Sequence, residues 1–231
     1  MDNPFTPPSG NEQVPAWSWL DEYLWFSCDI IADLAEGRLK QRPLVATVAR
    51  LEPDDRALAV GPAQRLTWRP VGDGSYSHQN VIAFGSPAFV LGTMAGSALG
   101  NSARRRAAAI DAQPRWVLDG SGEITVTARK VYFGHPQCAL DLGWGGLDTI
   151  DLVAPDVFQT SFHDIVNGRQ TTVRLRTPWA SLLFVLAAIT AFPAHPRLLE
   201  NGWLPADFER RCASLGRPCR PAARLLLNRG R

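Results

Sequence analysis

Histidine, methionine and cysteine are scarce in this chain, at four, two and four among 231 residues. Four scattered cysteines exclude a disulfide scaffold, and Cys28, Cys138, Cys212 and Cys219 read as free, reduced thiols. Only Cys212 and Cys219 lie close together, and C-x6-C is not a zinc-ligand spacing. His135 and Cys138 form H-x-x-C with no second ligand pair, which reads as a strand or turn pair, so neither a metal centre nor a cofactor is expected. Net charge is lacking too: 24 Lys+Arg against 22 Asp+Glu leave +2. That balance gives no overall attraction to nucleic acid, and no strand interleaves aromatic with basic residues as RNA-binding strands do, so no specific nucleic-acid partner is expected. Residues 1–10 have neither a basic n-region nor an apolar h-region. Export is not expected, and the chain is read as cytoplasmic, with peripheral attachment to a membrane left open.

Signatures of catalysis are also missing. There is no G-x-S-x-G, H-E-x-x-H, Walker loop or G-x-G-x-x-G opening a helix. His163-Asp164 is the best isolated acid/base pair, but neighbours on a strand point to opposite faces. Asp73, His78, Asp141 and Asp156 are only scattered additional candidates.

What is present is a core: 45% of residues are hydrophobic, enough to bury a sizeable interior. The chain divides into a Pro-rich acidic arm at 1–42, a β-rich region at 43–192 with a helical insertion at about 86–113, and a basic tail at 193–231. The arm holds seven acids against three bases, and from Asp207 onward seven arginines face two acids. The arginines are spaced along the tail, which reads as a solvated end. In the arm, Ser18 with Asp21 forms a capping box and Gly37 a helix stop. Leu20, Tyr23, Leu24, Ile30, Ile31 and Leu34 recur at helical spacing against Asp21, Glu22, Asp29, Asp33 and Glu36. This helix is expected to dock on the main domain, and its acidic polar face argues against a membrane-surface helix.

The period changes after residue 56. Ala57 to Val60 and Gln64 to Arg69 read as short strands interrupted by Gly61-Pro62, and Gly72-Asp73-Gly74 as a turn before a strand over 76–84. Residues 81–103 carry no charge over 23 positions, the length of a membrane span, but glycines and hydroxyls dilute the segment and a soluble helix is expected. Gly92, Gly96 and Gly100 share one helical face and predict a tight packing seam. Arg104, Arg105 and Arg106 follow, the only three consecutive bases in the chain. Then come a hairpin, with Asp119 to Gly122 as its turn between strands at 115–118 and 123–133, and strands at 139–144, 149–154, 157–163 and 171–176. Five or six antiparallel strands imply a small barrel or sandwich. Pro178 opens a last helix, apolar throughout from Trp179 to Phe192 and too short to cross a bilayer.

The order of these elements carries a resemblance. A strand Val126-Thr127-Ala128-Arg129, a segment from Trp144 to Ile150, two further strands and a terminal apolar helix resemble the bacterial pleckstrin-homology-like and GRAM-like domains over roughly residues 50–192. The Arg104–Arg106 run ahead of Pro114-Arg115-Trp116 is similar to uncharacterised actinobacterial proteins with an Arg-rich helix before a Pro-x-Trp strand. The resemblance implies an α+β fold: a bent antiparallel β-barrel or sandwich closed by the C-terminal helix, with the inserted helix and the N-terminal helix added. The phosphoinositide-binding basic loop of eukaryotic relatives has no matching positions here, so lipid binding is not carried over. The expected function is a non-catalytic binding or scaffolding module that presents Arg104, Arg105 and Arg106 to a protein partner or an anionic membrane surface. The alternative is a small hydrolase using His163 with nearby acids.

Overall fold

In the computed structural model, which describes residues 17–72, 75, 103, 105–164 and 168–229, the first helix starts where its capping box places it. Ser18 Oγ accepts from the Asp21 N–H at 3.1 Å and the Asp21 carboxylate accepts from the Ser18 N–H at 2.8 Å, which satisfies two orphan donors at the N-terminus of α1 (Trp19–Ala35). The chain leaves α1 through Gly37 at φ +71°, a left-handed conformation that glycine adopts without strain. The expected docking occurs: Cys28, Ile30 and Ile31 are buried in the main core, and Tyr23 meets Trp179 edge-on at 4.8 Å.

Seven antiparallel strands follow: β1 (Ala57–Arg69), β2 (Arg115–Thr127), β3 (Lys130–Gly134), β4 (Leu140–Gly143), β5 (Leu147–Ala154), β6 (Val157–His163) and β7 (Gln170–Arg176). They form one sheet in the order β4-β3-β2-β1-β7-β6-β5. Strands β4 to β7 fall close to the expected segments, but β1 to β3 do not. Gly61-Pro62 does not interrupt β1. β7 pairs only with Gln64 to Thr67, so at Pro62 the strand has a partner on one side alone, where a missing N–H is tolerated. The expected turn at Asp119–Gly122 is likewise part of a strand, since β2 runs through it paired with β1 and a register shift at Arg65/Leu66 leaves Asp119 as an extra, bulged residue. The hairpin turns at Ala128-Arg129 instead. There Thr127 Oγ1 accepts from the N–H groups of Arg129 and Lys130 at 3.2 and 3.1 Å, a local side-chain bond that competes with continuing the strand.

The expected barrel is not closed. Strands β4 and β5 are the two sheet edges; between them lies a one-turn 3-10 segment, Trp144–Gly146, whose Trp144 is fully buried. Helix α3 (Ala180–Ala191) packs against this turn, β5 and β6. It is apolar all round, as a helix enclosed on every side must be, and Leu182 to Ala188 are buried with Ile124, Val126, Phe133, Phe158, Val173 and Leu175 of the sheet.

The β1–β2 connection contains α2 (residues 105–111). The expected strand at 76–84, the seam of Gly92, Gly96 and Gly100, and Arg104 lie outside the described residues. No helix among the described residues is long and apolar enough to cross a membrane. After α3 the chain forms α4 (Pro196–Leu199), α5 (Phe208–Ser214) and α6 (Ala222–Arg229). The tail is not the solvated end that its charge suggested: Trp203, Phe208, Cys212, Ala222 and Ala223 belong to the main core, and α6 lies on α1.

Candidate functional site

Antiparallel pairing sends the β1–β2, β3–β4 and β6–β7 connections off the sheet in the same direction. The β1–β2 connection starts from a ladder that ends at the pair Arg69–Arg115. Its return is tied down: the Val71 and Gly72 N–H groups donate to the Asp111 carbonyl at 2.9 and 3.0 Å, and Asp111 pairs with Arg115 at 2.9 Å. Arg105 and Arg106 on α2 are exposed just ahead of this anchor. On the ladder itself, Trp68 and Trp116 meet at 5.3 Å and the Arg174 guanidinium lies 3.9 Å from the centre of the Trp116 ring, a cation–π contact that holds a charge beside an aromatic face.

The bulge serves this side of the molecule. Asp119 accepts from Thr67 Oγ1 at 2.5 Å and pairs with Arg65 at 3.3 Å and Arg69 at 3.1 Å, which fixes two arginines along the ladder. Sequence reasoning placed Asp119 in a turn and missed this role; the partner arginines lie about fifty residues earlier, and nothing local signals them. The β3–β4 connection is shaped by His135, whose Nδ1 accepts from the Gln137 and Cys138 N–H groups at 3.1 and 3.2 Å. The H-x-x-C pair is thus the expected turn. The β6–β7 connection closes with Asp164 N–H to Arg169 carbonyl at 2.9 Å, with Gly168 at φ +65°.

His163 does not face Asp164 alone on its strand: its Nδ1 sits 2.9 Å from the Asp148 carboxylate on β5. The imidazole is 63% exposed, so the pair is bathed in water. Asp141 is held by Lys130, which also binds Glu52, and Asp156 pairs with Arg176 at 3.6 Å. The bond from Lys130 holds the Glu52 carboxyl below its ordinary value. Among the described residues no group of three or more His, Cys, Asp or Glu side chains is arranged to hold a metal ion.

A second cluster of charge is structural. The acids of α1 and the arginines of the tail, read separately in the sequence, meet: Arg211 pairs with Asp21 at 2.6 Å, Arg217 with Glu22, and Arg220 with Asp29, Asp33 and Glu36 at 3.3, 2.5 and 2.6 Å. Arg42 adds bonds to Asp29 and Asp33 at 2.7 and 2.5 Å. Burial pushes the Asp33 carboxyl up, but hydrogen bonds from Arg220 and Arg42 outweigh it and hold the group below its ordinary value. Arg211, Arg217 and Arg220 of the tail are therefore engaged within the fold, while Arg210 and Arg224 are exposed, as are Arg105 and Arg106 on the β1–β2 connection. No family model matches the chain, and no curated protein matches it either.

Proposed function

We propose that the protein is a non-catalytic binding module of the pleckstrin-homology-like type whose arginine-bearing side takes an anionic surface. The reading is supported by the strand order β4-β3-β2-β1-β7-β6-β5 followed by one buried helix, α3. The observation that carries it is the placement of Arg105 and Arg106, exposed on α2 just ahead of the Asp111–Arg115 anchor at the end of the β1–β2 ladder. Exposed guanidinium groups near an anionic membrane contribute about 1 kcal/mol each, and their attraction is screened over about 8 Å at physiological ionic strength.

Flotation on anionic and on neutral vesicles tests it. The wild type should float with phosphatidylserine vesicles at low salt, less so as salt rises, and not with phosphatidylcholine alone. Replacing Arg104, Arg105 and Arg106 by Glu should weaken binding by about a hundredfold or more, from roughly 3 kcal/mol of lost attraction. A wild type that stays unbound at low salt sinks the anionic-surface reading and leaves a protein partner as the ligand. The hydrolytic alternative rests on His163 of β6, with its imidazole open to solvent, beside Asp148 of the edge strand β5.

A further inference from the structure

Residues 43–50 cross the sheet on the face away from the core. Ile124 and Val126 of β2 are buried in that core, so by alternation Glu123 and Thr125 lie on the opposite face. There the hydroxyls of Thr47 and Thr125 are bonded at 2.5 Å, and Thr47 Oγ1 accepts from the Ala49 N–H at 3.0 Å. The crossing leaves Thr125 only 2% exposed. Between this segment and β2, β3 and β4 lies an open cavity of about 460 Å³, a volume in the range of small-molecule sites.

The cavity joins apolar surface to two charges of opposite sign. Val48, Ala49 and Leu140 line it, and Val48 is 89% exposed, an aliphatic side chain left almost wholly in water. Arg50 lines it from the crossing segment and Glu123 from β2. The cross-strand neighbours of Glu123 are Pro62 and Gly134, neither of which has a side chain that can donate to a carboxylate. The acid nearest Arg50 in sequence, Glu52, is bound by Lys130 at 2.5 Å, and the same lysine holds Asp141, also at the cavity, at 3.3 Å. Among the described residues, Arg50 and Glu123 have no ion pair or side-chain hydrogen bond. Glu123 is half-buried as well, so its carboxylate is partly desolvated without a compensating donor.

We propose that this cavity binds a small zwitterion with an apolar body, an apolar α-amino acid or a short apolar peptide. Its carboxylate meets Arg50, its ammonium meets Glu123, and its apolar part covers Val48 and Leu140. The charges select this class. A guanidinium offers a carboxylate two parallel donors in a fixed fork, and an ionised Glu is an acceptor only, suited to an ammonium group. A purely anionic ligand would set its charge beside Glu123, and a purely cationic one beside Arg50; each is rejected by like charge. The aliphatic wall of Val48, Ala49 and Leu140 adds the apolar contact that a small polar ion could not use.

Thermal melts and methyl NMR of the full chain test this with leucine, the dipeptide Leu-Leu, N-acetyl-leucine and leucinamide. Leucine and Leu-Leu separate a free amino acid from a peptide as the source. At least one of them, at millimolar concentration, should raise the melting midpoint in proportion to its occupancy and shift the Val48 methyl signals. N-acetyl-leucine, which lacks the ammonium, and leucinamide, which lacks the carboxylate, should each bind about tenfold more weakly or worse than that zwitterion. Arg50→Gln should weaken the zwitterion by a similar factor and leave leucinamide unaffected, while Glu123→Gln should weaken it and leave N-acetyl-leucine unaffected. Neither variant should lower the midpoint of the free protein, since neither side chain has a partner to lose. The proposal is overturned if leucine and Leu-Leu both leave the midpoint and the Val48 signals in place, if N-acetyl-leucine or leucinamide binds as tightly as the zwitterion, or if either variant binds it like the wild type.

Discussion

A Cβ at Gly122 would run into the carbonyl oxygen of Gly134 on the neighbouring strand, so the β2–β3 ladder closes only because that position has no side chain. Gly61 does similar work on β1: the Trp179 indole Nε1 lies 2.7 Å from where its Cβ would be, and donates to the Val60 carbonyl at 3.1 Å. Gly122→Ala should therefore cost about 1–3 kcal/mol, because the obstacle is backbone and cannot rotate away. Gly143→Ala, where an added Cβ meets nothing within 4 Å, should stay within about 0.5 kcal/mol of wild type. Urea denaturation of the two variants compares them, and equal costs would mean that the approach at Gly122 is relieved by movement of β3. In sequence, Asp119-Gly120-Ser121-Gly122 carries the composition of a tight turn, and the same residues serve a bulge followed by a close cross-strand contact. Local chemistry announces an irregular backbone but not which irregularity. The pairing with β1 decides that, through residues about fifty positions away.

At the scale of elements, α1 was legible because everything that starts and stops it is local: Ser18, Asp21, the apolar repeat and Gly37. What it docks against was not, because its acids meet arginines nearly two hundred residues later. The opposite charge imbalance of arm and tail was the one available signal, and it was visible as composition without geometry. Arg220 is the centre of that contact, donating to Asp29, Asp33 and Glu36, and its replacement by Ala should cost about 2 kcal/mol by leaving the mostly buried Asp33 carboxylate short of donors. Acid acts through the same group. The folded Asp33 carboxyl binds its proton less tightly than the unfolded one, whose ordinary value is 3.8. Its contribution is thus fully present above that value and drains away as pH falls below about 4. The protection of α6 amides, measured against the intrinsic exchange rate at each pH, should fall on acidification toward pH 3 in the wild type. In Asp33→Asn the same amides should exchange faster at neutral pH and respond less to acid; an unchanged acid response in that variant would place the titrating group elsewhere.

For the whole molecule, the three compositional segments share one interior. Cys28, Ile30 and Ile31 from the arm, the sheet and α3, and Phe208, Cys212 and Ala222 from the tail form a single buried cluster. The Ser181 hydroxyl of α3 donates to the Trp203 carbonyl at 3.3 Å, which joins the tail to the same layer. Neither the arm nor the tail has a core of its own to fall back on: α1 buries its apolar face against α3 and α6, and α5 and α6 are too short to be stable alone. Unfolding should therefore be one cooperative event, with far-ultraviolet dichroism and tryptophan fluorescence following the same curve. The indoles sample every region, with Trp144 at the open edge of the sheet, Trp179 before α3, Trp203 in the tail and Trp25 on α1, so a segment that melted separately would split the fluorescence curve from the dichroism. Removing residues 207–231 sharpens the test, because it strips Phe208, Cys212, Ala222 and Ala223 from the shared core and uncovers the side of α1 that packs on α6. The shortened chain should melt well below the full one and bind a hydrophobic dye before it does. If it melts at the same temperature with coincident probes, then α1 and the tail are accessories to a sheet-and-helix unit that stands by itself.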